Sequence, residues 1–287
     1  MKVRLLLCFL VVAFLLPVPG SAQQASMAPQ PLTFWYEYTI NPGKEADFME
    51  LVKTVGQPVR DKLMDEGVVL AWGLETDLLR VPGSATHIIW YSVADYAGIA
   101  KVDAAMAAQI ARLDDEAAKS GMTKKGTKTA GVSERIREVA DVSKTHDFLT
   151  RDLVFATASG TPPADLLPWT RFAFVKVKPG KGPEYRKAWD KYNKPIYDKL
   201  IADGVILAYG LAVEEIRTEG EFTHFAWFAT KNLGDMDKIR AAFLADRDRR
   251  SQEEQDAMNN LFASLLDLNA SRQEVTRSLI FHLPKPK

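Results

Sequence analysis

Two histidines stand at matching places in the chain. His87 lies in Thr86-His87-Ile88-Ile89-Trp90-Tyr91 and His224 in Thr223-His224-Phe225-Ala226-Trp227-Phe228, 137 positions apart. An imidazole titrates near neutral pH, so such a pair could act as a general base, as a metal ligand or as an axial ligand to haem. Copying a packing or hydrogen-bonding histidine leaves the same trace, and this plainer reading outweighs the others. The chain has 4 His, and no His-x-His, His-Glu-x-x-His or paired-carboxylate spacing accompanies them. No metal site is expected. His146 and His282 fall near strand ends and read as surface residues. Glu37 and Lys176 form a second candidate pair on equivalent strands. In an enclosed space an unpaired carboxylate or ammonium is costly, so these two must pair, bind something or sit at a wet rim, and the rim is expected. No glycine-rich dinucleotide fingerprint, nucleophile elbow or cysteine-histidine set appears, so any enzyme here would depend on cavity shape and a few polar groups.

The elements that position these residues occur twice. Pro42-Gly43-Lys44 recurs as Pro179-Gly180-Lys181, and the same shift carries Pro58 onto Pro195, Asp61-Lys62-Leu63 onto Asp198-Lys199-Leu200, and Gly73 and Trp90 onto Gly210 and Trp227. Positions 42–90 and 179–227 share 18 identities in 49 without a gap, where chance would give roughly three, so the sequence reads as a tandem duplication. Each copy reads strand, helix, strand, strand, helix, strand. The first helix carries Phe48, Leu51, Val55, Val59 and Leu63, matched by Tyr185, Ala188, Tyr192, Ile196 and Leu200, a stripe that packs on a sheet. Pro58 and Pro195 sit inside these helices and must kink or divide them, and Gly67 and Gly204 close them as left-handed caps. Two helices are expected within 95–144 around a Gly-, Thr- and Lys-rich loop at 120–131. In the second copy 236–273 reads as helical, with Asp246, Arg247, Asp248, Arg249 and Arg250 a solvated charged face.

This order is the ferredoxin-like plan, an antiparallel four-stranded sheet with helices on one face and the other face bare. An apolar bare face must find a partner. Strand alternation puts Trp35, Glu37, Phe172, Phe174 and Lys176 on the bare, inward side of the opening strands. On the third strands His87, Ile89 and Tyr91 share one face, as do His224, Ala226 and Phe228. They are assigned to the inward side, because the alternate set of Ile88, Trp90, Phe225 and Trp227 is more apolar and suits the helices. Trp72, Tyr209, Trp90 and Trp227 read as core.

The N-terminus reads as an address. Lys2 and Arg4 precede an apolar run from Leu5 to Leu16, followed by Pro17, Pro19 and the small residues Gly20, Ser21 and Ala22, the pattern of a secretory signal cleaved near Ala22. The run is too short for a stable membrane span, so the mature protein is expected to be secreted or periplasmic. Removing residues 1–22 takes away Lys2, Arg4 and the single cysteine, Cys8, leaving 35 basic and 37 acidic residues. With no thiol left, a disulfide, a cysteine nucleophile and thiolate-bound haem are excluded. The near-neutral balance removes the field a nucleic-acid binder needs. The expected divisions are a leader at 1–22, a linker at 23–32, a first unit at 33–157, a linker at 158–169 and a second unit at 170–284.

The strand before Pro42-Gly43-Lys44, its amphipathic helix, and the later strand ending Trp90-Tyr91-Ser92 before Ala94-Asp95 resemble the dimeric α+β barrel superfamily, with its NIPSNAP-like and antibiotic-biosynthesis-monooxygenase-like members. The resemblance covers about 34–99 and 171–239 and rests on a loose pattern rather than a catalytic motif. It implies an α+β fold in which two tandem ferredoxin-like units pack sheet to sheet as a pseudo-dimeric barrel, with extra helices before the last strand of each. Fused copies in the chlorite-dismutase-like branch bind haem through a histidine of the second unit. The primary expectation is an exported small-molecule-binding or structural protein without a cofactor. Trp35, Glu37, Tyr91, Phe172, Phe174, Lys176 and Phe228 would line a cavity for a small apolar or aromatic molecule. The alternative is an exported oxygenase or haem-dependent enzyme using His87 or His224 as ligand or base. Either a monomer with an internal pseudo-dimer or a homo-oligomer fits.

Overall fold

The computed structural model describes residues 30–79, 81, 84–119, 130–158, 166–217 and 222–283. The expected leader, most of the 120–131 loop and the middle of the 158–169 linker lie outside these residues. The strands are β1 (Leu32–Tyr38), β2 (Val69–Asp77), β3 (His87–Val93), β4 (His146–Thr157), β5 (Trp169–Val177), β6 (Ala208–Glu214), β7 (His224–Thr230) and β8 (Leu266–His282). The helices are α1 (Glu45–Leu51), α2 (Gln57–Asp65), α3 (Tyr96–Lys119), α4 (Val132–Val139), α5 (Gly182–Tyr192), α6 (Lys194–Ala202), α7 (Asp235–Asp248) and α8 (Gln252–Leu265).

Both prolines act on their helices, in different ways. Before Pro58 the helix widens into a π-helical turn, Val52–Gly56, that joins α1 to α2 without a break. Before Pro195 it breaks at Asn193, between α5 and α6. A wider turn removes the clash between the proline ring and the preceding carbonyl while keeping the chain helical. Gly67 and Gly204 leave the helices with φ of 74° and 70°, the left-handed caps that only glycine adopts cheaply. The stripe from Phe48 to Leu63 is buried along its whole length against the sheet.

Eight antiparallel strands close into a barrel in the order β1-β3-β2-β8-β5-β7-β6-β4, with β4 returning to β1. Within it β4-β1-β3-β2 and β6-β7-β5-β8 form two four-stranded halves. They are joined edge to edge where Gly73 pairs with Phe281 and Phe155 with Gly210. Closure therefore uses backbone hydrogen bonds at the edges as well as facing side chains, and leaves no free sheet edge. The last strand is longer than expected. Positions 266–273, read as helix, extend β8 instead, because α8 stops at Leu265 and the chain pairs with β5 from Leu266 onward.

Rings fill the barrel. Trp35 stacks on Phe148 at 5.8 Å and meets Phe172 at 5.7 Å and Phe225 at 5.5 Å edge-on, while Phe174 and Phe222 pack beyond them at 4.9 Å. At this density the space is a core. Trp90 and Trp227 lie flat across Gly73 and Gly210, their direct partners in the ladder. A Cβ at Gly73 would come within 2.9 Å of the Trp90 indole, and one at Gly210 would press harder on Trp227. Gly210→Ala should thus destabilise the fold by about 1–3 kcal/mol, and Gly210→Ala with Trp227→Ala should cost less than the sum of the two, as chemical denaturation of the four species would show.

Candidate functional site

Directly opposed residues in a ladder point to the same side, and β1 pairs Trp35 with Trp90, Glu37 with Ile88 and Tyr38 with His87. Ile88, Trp90, Phe225 and Trp227 therefore face the barrel. His87, Tyr91, His224 and Phe228 face the helices, which corrects the inward assignment made from the sequence. The His87 ring lies 5.2 Å from Phe48, and that of His224 5.4 Å from Tyr185. Apolarity could not choose between the faces of β3 and β7, because a closed barrel and a helical layer are both dry. Trp35, Glu37, Phe172 and Phe174 do point inward, while Lys176 is exposed at the rim.

Glu37 is not at a wet rim. It is buried, its Oε1 accepts from Arg272 at 3.1 Å, and its Oε2 lies 3.2 Å from His146 Nδ1. His146 is exposed, as expected, and its hydrogen bond to Glu37 holds its pKa above the ordinary imidazole value. Arg272 also reaches Glu274, with Nε 3.3 Å from Oε1. Deeper in, Glu75 accepts from Trp90 Nε1 at 3.1 Å and from the Thr276 hydroxyl. Burial raises its carboxyl to about 7, an effect its two hydrogen bonds only partly offset. Asp77 is likewise raised to about 7, by burial and then by the charges of Glu274 and Glu37. Burial raises Glu274 as well. This cluster holds carboxyls able to gain or lose a proton near neutrality, beside one guanidinium and one imidazole. The matching positions of the other half carry Phe174 for Glu37 and Ala212 for Glu75, so these two carboxyls have no counterparts there, and that half contributes Arg272, Glu274 and Thr276 from β8 instead. Sequence reasoning missed Glu75, Asp77, Arg272 and Glu274, although carrying the alternation from Gly73 along β2 marks the first two.

Open space lies outside the barrel. A cleft of about 320 Å³ opens where the helix breaks at Asn193, walled by Tyr185, Tyr192, Ile196, Phe243, Met258 and Phe262. This volume is at the small end for ligand pockets. Asp246 and Arg247 stand at its edge. Asp246, read as part of a solvated face, is buried and takes both Arg249 and Arg250, and Arg250 in turn lies 5.3 Å from the Tyr192 ring.

Haem does not fit this donor set. An axial ligand needs a lone pair facing open space. No histidine lines the cleft among the described residues, and burial holds the Tyr185 phenol protonated by raising its pKa. His224 is 5% exposed behind Tyr185, with Nδ1 3.0 Å from the Thr223 hydroxyl. Burial, followed by the charge of Arg217, lowers its pKa to about 4, which makes it a poor proton acceptor at neutral pH.

With the geometry in view, the fold, a closed eight-stranded antiparallel barrel with helices outside, can be matched to solved structures. The chain superposes on a presumed monooxygenase of Fusobacterium nucleatum subsp. nucleatum ATCC 25586 over 91% of its own length and 98% of that chain, with a TM-score of 0.58 at 12% identity. A presumed monooxygenase of Lactobacillus acidophilus NCFM matches over 89% and 97%, with a TM-score of 0.54 at 11% identity. An anthrone oxidase-like protein matches over 90% and 95%, with a TM-score of 0.50 at 11% identity. At such identities the likeness is one of fold. No family model matches the sequence, and no curated protein matches it. No helix among the described residues is long and apolar enough to cross a membrane.

The Glu75 carboxyl titrates at about 7 in the folded chain against 4.5 ordinarily. Between those values the folded state keeps a proton that the unfolded state has lost, so this group destabilises the fold increasingly as pH rises from about 4 to 7 and fully above that. Glu75→Gln removes the dependence. Its melting temperature relative to the parent should rise between pH 4.5 and 7.5, by an amount equivalent to up to a few kcal/mol. A pH-independent difference would show that Glu75 ionises in the fold as it does in water.

Proposed function

We propose that the protein is an exported small-molecule-binding member of the barrel superfamily, built by tandem duplication of a ferredoxin-like unit and released by cleavage near Ala22. Its ligand is a small apolar or aromatic molecule held in the cleft between α5, α6, α7 and α8. The cleft itself carries this reading: it is a ring-walled space of about 320 Å³ beside a barrel with an aromatic core. Aromatic walls supply most of the binding energy by burying apolar surface, and the Asp246 and Arg247 edge orients any polar group on the ligand. The inward set named from the sequence becomes core under this reading, with Trp35, Phe172 and Phe174 holding the barrel shut and Tyr91 and Phe228 packing the helices.

A second reading, an oxygenase, is supported by the likeness of fold to proteins named as monooxygenases and by the imidazole behind Tyr185. It would use His224 as base. A group titrating at about 4 gives little drive for proton removal at neutral pH, so binding remains ahead.

A neutral fluorescent probe, N-phenyl-1-naphthylamine, should show saturable enhancement with the mature chain. Met258→Trp, which fills the cleft from α8, should weaken that binding roughly tenfold or more while leaving the melting temperature within a few degrees. Haemin added to the same protein should give no sharp Soret band. Such a band, lost in His224→Ala, would favour the enzyme reading, and unaltered dye binding in Met258→Trp would move the ligand site elsewhere.

A further inference from the structure

Arg60 is the one arginine or lysine buried among the described residues, and the carboxylate that acts on it, that of Asp61, bonds to other groups. It sits on α2 just after Pro58 and is 6% exposed, its Nε is enclosed without an acceptor, and it forms no ion pair among the described residues. The π-helical turn admits it. The guanidinium occupies the space that a Cβ on Gly56 would fill and lies 5.6 Å from the Trp72 ring. Its neighbour Asp61 is already engaged by Trp72 Nε1 at 2.9 Å, Gln57 Nε2 at 3.2 Å and His282 Nδ1 at 3.1 Å.

The other groups facing Arg60 are the phenols of Tyr36, Tyr38 and Tyr91 from the sheet. Asp103 of α3 acts on Tyr36 and Tyr91 from a distance. Burial raises all three phenols, Tyr38 to about 12, so they are neutral and cannot balance the charge. Each can donate an O–H. Tyr36 and Tyr38 are only partly buried, which leaves this end of the layer within reach of solvent.

The matching positions in the second half show that the fold does not need this set. The 137-residue shift turns Arg60 into Tyr197, Gly56 into Asn193, and Tyr36, Tyr38 and Tyr91 into Ala173, Val175 and Phe228. There Tyr197 simply stacks on Trp189 at 5.8 Å and Tyr209 at 5.1 Å. One half thus packs rings where the other keeps a guanidinium and three phenols, an arrangement that costs stability unless an anion completes it.

We propose that the layer between α2 and the β1–β3 sheet is a binding site for a small carboxylate, received by the Arg60 guanidinium and by hydroxyls of Tyr36, Tyr38 and Tyr91. The planar fork of arginine suits the two oxygens of a carboxylate. A single delocalised charge also suits a dry, ring-lined site better than the double charge of phosphate. The site is separate from the helical cleft of the second half and does not depend on it.

The test uses the full mature chain, with benzoate, acetate and inorganic phosphate as probes at constant ionic strength, read by thermal shift and calorimetry. Benzoate should raise the melting temperature saturably and phosphate should do so far less. Arg60→Tyr, the residue the second half uses, should lose the response while melting at or above the parent temperature without anion. Tyr38→Phe should weaken benzoate binding several-fold and Arg60→Lys roughly 10- to 100-fold, which keeps the test decisive if Arg60→Tyr fails to fold. An absent benzoate response, an equal response in Arg60→Lys, or tighter binding of phosphate than of benzoate would overturn the proposal.

Discussion

Edge pairing is the constraint from which the rest of the structure follows. A four-stranded sheet with helices on one face leaves two unpaired edges and one bare face, and two such sheets leave four edges. Pairing β2 with β8 and β4 with β6 satisfies every edge at once and forces the bare faces inward. The inner space of an eight-stranded barrel is about what side chains can fill, and here Trp35, Phe148, Phe172, Phe174 and Phe225 fill it. Closure and a solid interior are therefore one fact seen twice.

Two consequences shape function. The cleft lies outside the barrel, in the helical layer of the second half, and each layer contains a proline-disturbed helix. The disturbance is a break at Asn193 in one half and a π-helical turn at Gly56 in the other. In addition, the two halves agree at some equivalent positions and differ at others. Trp72 and Tyr209 both hand a proton donor to an aspartate one helix away, Asp61 and Asp198, which preserves the docking of helix on sheet. Arg60 against Tyr197, and Glu37 against Phe174, have separated completely.

The order of strands and helices, the helix stripes and the glycine caps were legible because each is a local pattern with a single geometric solution. The edge pairing was not legible, since nothing in a strand's own sequence says which edge it will meet. Assigning Trp90 and His87 to the wrong sides came from weighing apolarity, when the partner in the ladder decides. Glu75 and Asp77 lay in plain alternation with Gly73 but went unread, and Arg272 stood in a stretch taken for helix. Arg60 carried no motif, and its isolation emerges only when every neighbour is placed around it.

Native-state amide hydrogen exchange on β8 probes the closure most directly. Its strand is flanked by β2 on one side and β5 on the other, so amides aimed at either neighbour should show comparable protection, close to that of global unfolding. If the amides aimed at β2 exchanged at the rate of an open sheet edge while those aimed at β5 stayed protected, the barrel would not be closed.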